Sequence, residues 1–250
     1  MSEPTVQQRQ QEEVKTVPEN LSHIPRALTS VVHPTQPTEN LFISISGLIG
    51  AGKTTFARRL AEKLGLPVFY EPVTENPYLA HFYQDMAKYS FPLQIYLLNE
   101  RFKQHQQIIW SGRGGVQDRT IYEDGIFAKM LYDSHLMSDL DYQTYTSLFS
   151  NMSNFMRKPN IIVHLDVSPE VSLARVHERN RDCEKGMTLE YLQNLHAHYE
   201  EWIRDVSRVI PVIKVNWSKY QSAEVMADLI KTEVERLQNI RYIDFSTHEL

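Results

Sequence analysis

The sequence contains a single cysteine, Cys183, which excludes an intramolecular disulfide framework and suits a reducing compartment. It has no apolar run near the roughly 18–20 residues that a membrane span needs, and its N-terminus carries no apolar signal segment. Its formal net charge of −5 lacks the basic surplus typical of proteins that bind duplex nucleic acid. These absences predict a soluble, cytoplasmic protein that binds neither a membrane nor nucleic acid.

Residues 1–40 lack aromatic side chains and are rich in glutamine and proline. Such a segment buries too little apolar area to offset its ordering entropy, so we expect a disordered N-terminal extension. Its glutamates distinguish it from an acid-poor targeting presequence, which stays the alternative. The remaining residues, 41–250, are enough for one domain with a sizeable core.

From residue 41 onward, short apolar runs alternate with longer segments of helical periodicity. Strands are predicted at 41–46, 67–70, 116–118, 161–166 and 212–215. Helices are predicted at 53–64, 91–111, 121–132, 140–156, 169–178, 189–205 and 223–239. This order predicts an α/β fold, a three-layer α/β/α arrangement with a five-stranded parallel sheet and helices on both faces.

The most specific motif follows the first predicted strand and matches G-x-x-x-x-G-K-[ST] fully. Its residues are Gly47, Leu48, Ile49, Gly50, Ala51, Gly52, Lys53 and Thr54, with Thr55 next in the predicted helix. The glycines let backbone N–H groups surround phosphate oxygens, and the helix N-terminus adds favourable partial charge. Lys53 should contact the β- and γ-phosphates, while the Thr54 hydroxyl should ligate Mg²⁺. This P-loop predicts that the chain binds a nucleoside triphosphate, without indicating which reaction uses it.

Three charged residues follow the next two predicted strands, at the edge where parallel sheets bind ligands. Glu71 comes after the second strand, and Asp118 and Arg119 close the third. A carboxylate there can accept the proton of an attacking hydroxyl, although a lone Glu would more often be a solvated loop acid. An arginine can stabilise a transferring phosphoryl group, and an aspartate can hold Mg²⁺ directly or through water.

The helix predicted at 91–111 places Gln94 and Arg101 on one face, beside Leu97 or Leu98. A carboxamide and a guanidinium that flank apolar residues could contact the polar edge of a planar heterocycle and pack on its face. An ordinary amphipathic helix is the alternative interpretation.

Together these motifs resemble the deoxynucleoside kinase family over about residues 41–215. The shared order is P-loop, Glu-Pro-Val, Phe-x-Leu-Gln-x-Tyr, Asp-Arg-Thr, then an arginine-rich segment before Leu-Glu-Tyr-Leu. The resemblance implies that Glu71 is the base that deprotonates the 5′-hydroxyl of the deoxyribose. It implies that Arg119 contacts this hydroxyl and the incoming phosphoryl group, and that Asp118 stands where the family often has a Mg²⁺-binding Glu. Gln94 corresponds to the amide that hydrogen-bonds the base.

The resemblance also assigns residues around the nucleoside. Arg101 and Asp124 match a paired arginine and aspartate near the base in purine- and cytosine-directed members. Tyr83 and Glu184 align with residues that grip the 3′-hydroxyl.

An arginine-rich segment, residues 169–192, resembles the family's mobile lid, whose arginines close on the donor phosphates. Arg175, Arg179 and Arg181 are the arginines concerned. A basic surface helix end is the alternative, because cations also favour a helix C-terminus. Asn180 departs from the pattern, since glycine often occupies its place, and this puts the flexibility of the lid in doubt.

Other classes of protein fit the sequence less well. A nucleoside monophosphate kinase needs extra cations near the acceptor phosphate, and no arginine is adjacent to Glu71. A GTPase needs an Asn-Lys-x-Asp motif, which the sequence lacks. A non-catalytic scaffold with this fold would be free to lose Lys53, Glu71 or Arg119, and all three are present.

The expected partners are ATP, Mg²⁺ and a deoxynucleoside. An arginine and an aspartate can satisfy adenine, guanine or cytosine, whereas a thymine edge would leave polar groups unpaired. The segments 75–79 and 93–96 look most like purine-directed members, which favours deoxyadenosine or deoxyguanosine; deoxycytidine or a broad specificity is the alternative. The family is typically homodimeric, and the helices at 91–111 and 140–156 could supply the interface.

Overall fold

The structure is a computed structural model that describes residues 40–71, 76–219 and 222–239. The predicted N-terminal extension lies, apart from Asn40, outside the described residues, as does the chain after 239.

A five-stranded parallel sheet forms the centre of the domain, as predicted. Its strands are β1 (Phe42–Gly47), β2 (Val68–Phe69), β3 (Gly115–Asp118), β4 (Ile161–Asp166) and β5 (Val212–Asn216). They lie in the order β2-β3-β1-β4-β5, with Ile45 of β1 between Asp118 and Val163 of its neighbours. Every residue of β1 is buried, as its apolar sequence requires of a strand covered on both faces. The order brings the carboxyl ends of β2, β3 and β1 to one edge of the sheet.

Eight helices accompany the sheet in the described part of the chain. They are α1 (Lys53–Leu64), α2 (Leu79–Gln84), α3 (Met86–Ser111), α4 (Ile121–Asp133), α5 (Asp139–Ser153), α6 (Pro169–Arg179), α7 (Leu189–Val206) and α8 (Ala223–Asn239). A short 3₁₀ turn, Asp182–Glu184, lies between α6 and α7. The α/β fold class and the sheet are therefore confirmed, and α2 and the 3₁₀ turn are additions that the periodicity did not predict.

Helix α3 begins five residues earlier than predicted, at Met86 rather than 91. The carboxylate of Asp85 accepts a hydrogen bond from the Lys88 N–H at 3.1 Å and caps the helix. Pro92 therefore lies inside the helix, where its missing N–H leaves the ladder one bond short. The added turn brings α3 alongside α2, and both elements contribute to the cavity described below.

The hydrophobic core lies between the sheet and the helices that cover it. Ile43, Ile45 and Val163 of the sheet pack with Leu60 of α1 in one buried cluster. In the region that the structure describes, no helix is long and apolar enough to cross a membrane. The core fixes the carboxyl edge of the sheet, from which the polar side chains below project.

Candidate active site

The P-loop joins the end of β1 to the start of α1. Two of its glycines adopt a positive φ and leave no room for a Cβ atom. Gly47 has a φ of +140°, and a Cβ there would lie 2.7 Å from the carbonyl oxygen of Leu165. Gly50 has a φ of +81°, and its Cβ would lie 2.7 Å from the carbonyl oxygen of Ser172. Since real Cβ atoms do not approach so closely, both positions exclude any other residue without a backbone shift. The loop is therefore held in the curled form that surrounds a phosphate.

Lys53 is the first residue of α1, and its side chain is buried at the P-loop. Its Nζ donates to the carbonyl oxygens of Gly47 and Leu48, at 3.0 and 2.8 Å. Burial lowers the pKa of Lys53 to about 8, and Arg119 acts in the same direction, while Asp118 and Glu71 oppose the shift. Two adjacent buried cations favour a polyanionic ligand, because its charge would offset both.

Thr54 and Asp118, the two residues predicted to hold Mg²⁺, are in direct contact. The Thr54 hydroxyl donates to Oδ2 of Asp118 at 2.5 Å, and Oδ1 has no hydrogen-bond partner among the described residues. Burial raises the pKa of Asp118, while Lys53 and the Thr54 hydroxyl act against the increase. A buried carboxylate oxygen with no partner, beside a threonine hydroxyl, is a donor set that suits Mg²⁺. The residues present therefore fit the expected ion.

Glu71 follows β2 and accepts two guanidinium groups on the same oxygen. Its Oε1 lies 2.5 Å from Nη2 of Arg101 and 2.9 Å from Nη1 of Arg119. Burial alone would raise the pKa of Glu71, but Arg119, Arg101 and Lys53 together hold it well below its usual range. The side chain is therefore a carboxylate at neutral pH, and it can only accept hydrogen bonds.

Arg119 closes β3 and adopts a φ of +66°, which is uncommon for a residue other than glycine. Besides Glu71, its guanidinium donates to the Gly47 carbonyl oxygen at 3.1 Å and to Oε1 of Glu123 at 2.9 Å. The same group lies 4.8 Å from the ring centroid of Phe127. Arg119 thus connects the carboxylate of Glu71 to the P-loop.

These side chains face one cavity of about 680 Å³. The predicted site residues that line it are Ile49, Gly50, Gly52, Lys53, Thr54, Thr55, Glu71, Tyr83, Gln94, Arg101, Arg119, Arg175, Arg179, Arg181 and Glu184. Gly47, Leu48, Ala51, Asp118 and Asp124 are not lining residues but contact residues that are. The residues predicted for the donor and for the acceptor therefore border the same cavity.

The far end of the cavity has a polar floor between α3 and α4. Gln94 and Arg101 lie seven residues apart on α3, and Arg101 forms an ion pair with Asp124 of α4. Each of the three side chains is at most 2% exposed. The Oε1 atom of Gln94 has no hydrogen-bond partner in the ranges described. With Leu97 beside it, this end can hold a planar ring by its polar edge.

Tyr83 and Glu184 both line the cavity. Burial raises the pKa of Tyr83 well above its ordinary value, and Tyr191 and Glu184 add to the increase. The hydroxyl of Tyr83 is therefore a hydrogen-bond donor at neutral pH, next to a carboxylate that can accept.

Two of the three lid arginines contact Glu184 as well. Arg179, the last residue of α6, donates to both carboxylate oxygens at 2.7 and 2.6 Å, and Arg181 lies 3.6 Å away. Asn180 between them has a φ of +51° and closes the helix in the left-handed conformation. The predicted lid and the predicted sugar-binding carboxylate are thus directly joined.

Arg175 has a different environment from the other two. Its guanidinium donates to the Ala51 carbonyl at 3.3 Å and to the carbonyls of Trp217 and Ser218 at 2.9 and 3.0 Å. These bonds fix Arg175 against the P-loop and the segment after β5.

Glu123 and Tyr199 belong to the hydrogen-bond network of Arg119, and the sequence analysis did not predict either residue. Glu123 is on α4, four residues after Arg119, and this spacing between opposite charges was a readable signal. Tyr199 comes from α7, 76 positions away from Glu123, and its hydroxyl donates to the Glu123 carboxylate. No pattern in the sequence indicates that second contact.

A separate group of possible metal ligands lies at the end of β4. Atoms of His164, Asp166 and Glu200 lie within 4.8 Å of one another. Lys214 already pairs with both carboxylates, at 3.3 and 2.7 Å. The group is therefore best described as an ion-pair network between β4, β5 and α7.

Comparison with known proteins identifies the family of this chain. The family model described as deoxynucleoside kinase matches residues 43–239. A deoxyadenosine kinase of Dictyostelium discoideum is 59% identical over 206 residues, 82% of this chain and 84% of the relative. A deoxyadenosine/deoxycytidine kinase of Bacillus subtilis (strain 168) is 42% identical over 185 residues, 73% of this chain and 85% of that protein.

Among solved structures, the deoxyadenosine kinase from M. mycoides with bound dATP superimposes with a TM-score of 0.69 at 33% identity. The match covers 78% of this chain and all of that one. The chain belongs to the deoxynucleoside kinase family. It is therefore an enzyme, a phosphotransferase built on a P-loop kinase fold.

Proposed function

We propose that this enzyme transfers the γ-phosphoryl group of ATP to the 5′-hydroxyl of a purine deoxynucleoside, foremost deoxyadenosine, in nucleotide salvage. The observation that carries the proposal is the position of the Glu71 carboxylate, which Arg119 joins to the P-loop across one cavity. An uncharged acceptor suits this arrangement, since a carboxylate would repel an acceptor that already carries a phosphate.

In the proposed reaction, Glu71 orients the 5′-hydroxyl and takes its proton. The low pKa of Glu71 makes it a weak base, which is compatible with a loose transition state in which the attacking oxygen forms little bond. Orientation then contributes more than basicity. Arg119 places positive charge beside the hydroxyl and the incoming phosphoryl group, where negative charge is redistributed.

The donor would be held by the P-loop, with Lys53 at the β- and γ-phosphates and with Arg175, Arg179 and Arg181 on the lid side. Thr54 and Asp118 would hold Mg²⁺. A bound Mg²⁺ supplies charge neutralisation at the phosphates. The protein contributes the fixed loop, the buried ammonium of Lys53 and the guanidinium groups.

The base would occupy the end of the cavity formed by Gln94, Arg101 and Asp124. The free Oε1 of Gln94 can accept from an exocyclic amine, which adenine and cytosine carry in equivalent positions and thymine lacks. Tyr83 and Glu184 would bind the 3′-hydroxyl. The 59% identical relative is named a deoxyadenosine kinase, and this supports the choice of adenine.

Deoxycytidine is the second candidate acceptor. The Bacillus subtilis relative is named for deoxyadenosine and deoxycytidine together. Arginine and aspartate can satisfy both rings, so the same polar end serves either base.

We also propose that the enzyme is a homodimer through the outer faces of α3 and α5. Trp110 at the end of α3 is 76% exposed, and Phe155 just after α5 is 89% exposed. Such large apolar side chains are typical of interfaces. The cytoplasmic location expected from the sequence stays a prediction.

The function can be tested by incubating the protein with ATP, Mg²⁺ and deoxyadenosine and detecting deoxyadenosine 5′-monophosphate by mass spectrometry. Glu71→Gln should lower kcat by about 10²–10⁴-fold, the usual contribution of a positioned acid or base. Glu62→Gln, at an exposed position on α1, is the control and should keep full activity. Unchanged turnover by Glu71→Gln would show that the base is misassigned. Turnover only with a deoxynucleoside monophosphate would instead indicate a monophosphate kinase.

A further inference from the structure

The Nε edge of the Arg119 guanidinium is bound by a side chain that takes no direct part in the proposed reaction. Its Nε donates to Oε1 of Glu123 at 2.9 Å, and the hydroxyl of Tyr199 donates to the same oxygen. Glu123 and Tyr199 are both fully buried. Neither residue lines the cavity. The Tyr199 hydroxyl bonds Glu123, and Glu123 in turn bonds Arg119.

Besides Glu123, two hydrogen-bond acceptors hold Arg119. Its guanidinium donates to the Gly47 carbonyl oxygen and to Glu71, whose Oε1 also accepts from Arg101. When the acceptor hydroxyl engages Glu71, that oxygen is shared among three donors, and the hold on Arg119 weakens. A second carboxylate that stays out of the reaction removes this competition. Glu123 occupies that position.

The geometry of Arg119 also requires an external constraint. Its φ of +66° is strained for a residue other than glycine and persists only where the surroundings hold it. The long arginine side chain adds rotational freedom that must be removed before the guanidinium can meet a phosphoryl group. Glu123 fixes the edge of the guanidinium, and the ring of Phe127 covers one face at 4.8 Å.

Tyr199 in turn fixes Glu123. The second carboxylate oxygen of Glu123 has no hydrogen-bond partner within the described ranges, so the Tyr199 hydroxyl is its main support besides Arg119. The ring of Tyr199 packs edge-to-face on Phe127, with centroids 6.2 Å apart. A buried carboxylate is costly unless it is paired and hydrogen-bonded, and these contacts supply both conditions.

We propose that Glu123 and Tyr199 are positioning residues for phosphoryl transfer, which hold the guanidinium of Arg119 in its productive place while Glu71 binds the acceptor hydroxyl. The inference rests on the catalytic role proposed above for Arg119. It adds two buried residues, one from α4 and one from α7, to the site described above.

The test is steady-state kinetics of Glu123→Gln and Tyr199→Phe with ATP and deoxyadenosine. Glu123→Gln should lower kcat by about 10–100-fold, because a misplacement of about 1 Å can cost 10²-fold. The KM for deoxyadenosine should change by less than about threefold, since neither side chain contacts the nucleoside. Tyr199→Phe should lower kcat by about 3–10-fold, because it removes only one hydrogen bond.

The double variant of Glu123→Gln and Tyr199→Phe shows whether the two side chains act together on Arg119 or independently of each other. If Tyr199 acts through Glu123, adding Tyr199→Phe to Glu123→Gln should lower kcat by less than about twofold more. Tyr145→Phe is the matched control, because Tyr145 is equally buried and its hydroxyl has no partner in the described part of the chain. It should leave kcat and KM unchanged.

Wild-type kcat in both Glu123→Gln and Tyr199→Phe would overturn the inference. So would losses of kcat that match a loss of folded protein, measured by circular dichroism on the same samples. Should Glu123→Gln fail to fold, the isosteric Tyr199→Phe decides alone. Arg119→Lys separates the catalytic role of Arg119 from the positioning role of Glu123 and Tyr199. Normal kcat in that variant would refute the proposed role of Arg119 itself. If Arg119→Lys is impaired while Glu123→Gln and Tyr199→Phe are normal, only the positioning role fails.

Discussion

At the scale of single residues, two buried histidines outside the cavity link the stability of the fold to pH. His105 of α3 lies 2.8 Å from the Arg157 carbonyl oxygen and edge-on to Phe42, and His164 of β4 lies 2.8 Å from the Ser46 hydroxyl. Burial lowers the pKa of each histidine to about 4. Since an unfolded histidine titrates near 6.5, the unfolded chain binds more protons between these values. Stability should therefore fall as the pH falls from about 6.5 toward 4.

Replacing His105 by glutamine should flatten this dependence. Glutamine can still donate to the Arg157 carbonyl but does not titrate. Between pH 7 and pH 5 the wild type should lose about 1–2 kcal/mol more of its free energy of unfolding than His105→Gln, as the histidine linkage requires. Urea unfolding at both pH values measures the difference. His177→Gln, at an exposed position, should follow the wild type; parallel curves for wild type and His105→Gln would refute the assignment.

The sequence permits prediction of those site residues that lie next to a recognisable strand or motif. Glu71, Asp118 and Arg119 follow strands, and the ends of parallel strands share one edge, so their proximity could be expected. The contact between Glu123 and Tyr199 could not, because it depends on how α4 packs on α7.

At the scale of elements, the lid segment shows how a departure from the family's pattern is accommodated. Asn180 ends α6 with φ of +51° and ψ of +49°, and its N–H bonds the carbonyls of Val176 and His177. This left-handed cap is the conformation that glycine often supplies, and asparagine is among the few other residues that adopt it readily. Asn180 therefore keeps the left-handed helix end, and the mobility of the predicted lid stays a prediction.

Substitutions of Asn180 should therefore depend on backbone conformation. Asn180→Gly should keep the free energy of unfolding within about 0.5 kcal/mol, while Asn180→Val should lose about 1–2 kcal/mol, the cost of a left-handed β-branched residue. Chemical unfolding monitored by circular dichroism measures both. Glu178→Val, at an exposed position inside α6, controls for the change in side chain. Equal stability of the glycine and valine variants would contradict the argument.

Elements with a clear apolar pattern were predictable, and those governed by local capping were not. β1 is buried on both faces, and its large apolar residues Phe42, Ile43 and Ile45 indicate a buried strand. The start of α3 depends on the Asp85 cap and was placed near Pro92, where a helix start would be unstrained. Helix α2 is only six residues long, too short to show a period.

At the scale of the whole molecule, exposed apolar side chains mark the proposed dimer interface. The hydrogen bond between His105 of α3 and the carbonyl of Arg157 joins α3 to the segment that follows α5. Trp110 and Phe155 belong to these same two parts of the chain. Leu148 of α5 is a further exposed apolar residue, at 38%. Burying such a set against a second copy would remove it from water.

The variant Trp110→Glu with Phe155→Glu should be monomeric, because two carboxylates would have to be desolvated in the interface. Light scattering coupled to size-exclusion chromatography measures the mass. Val209→Glu, at an exposed position before β5, should leave the dimer intact. A double variant that stays dimeric would place the interface on another surface.

The proposed enzyme uses one cavity to transfer the γ-phosphoryl group of ATP to the hydroxyl of a purine deoxynucleoside. The measurement that tests this best is kcat/KM of the purified protein for deoxyadenosine, deoxyguanosine, deoxycytidine and thymidine, with ATP and Mg²⁺ at fixed concentrations. The predicted result is the highest value for deoxyadenosine and a value at least about 10²-fold lower for thymidine, whose edge leaves buried polar groups unpaired. Equal values for thymidine and deoxyadenosine, or no turnover with any of the four, would contradict the account.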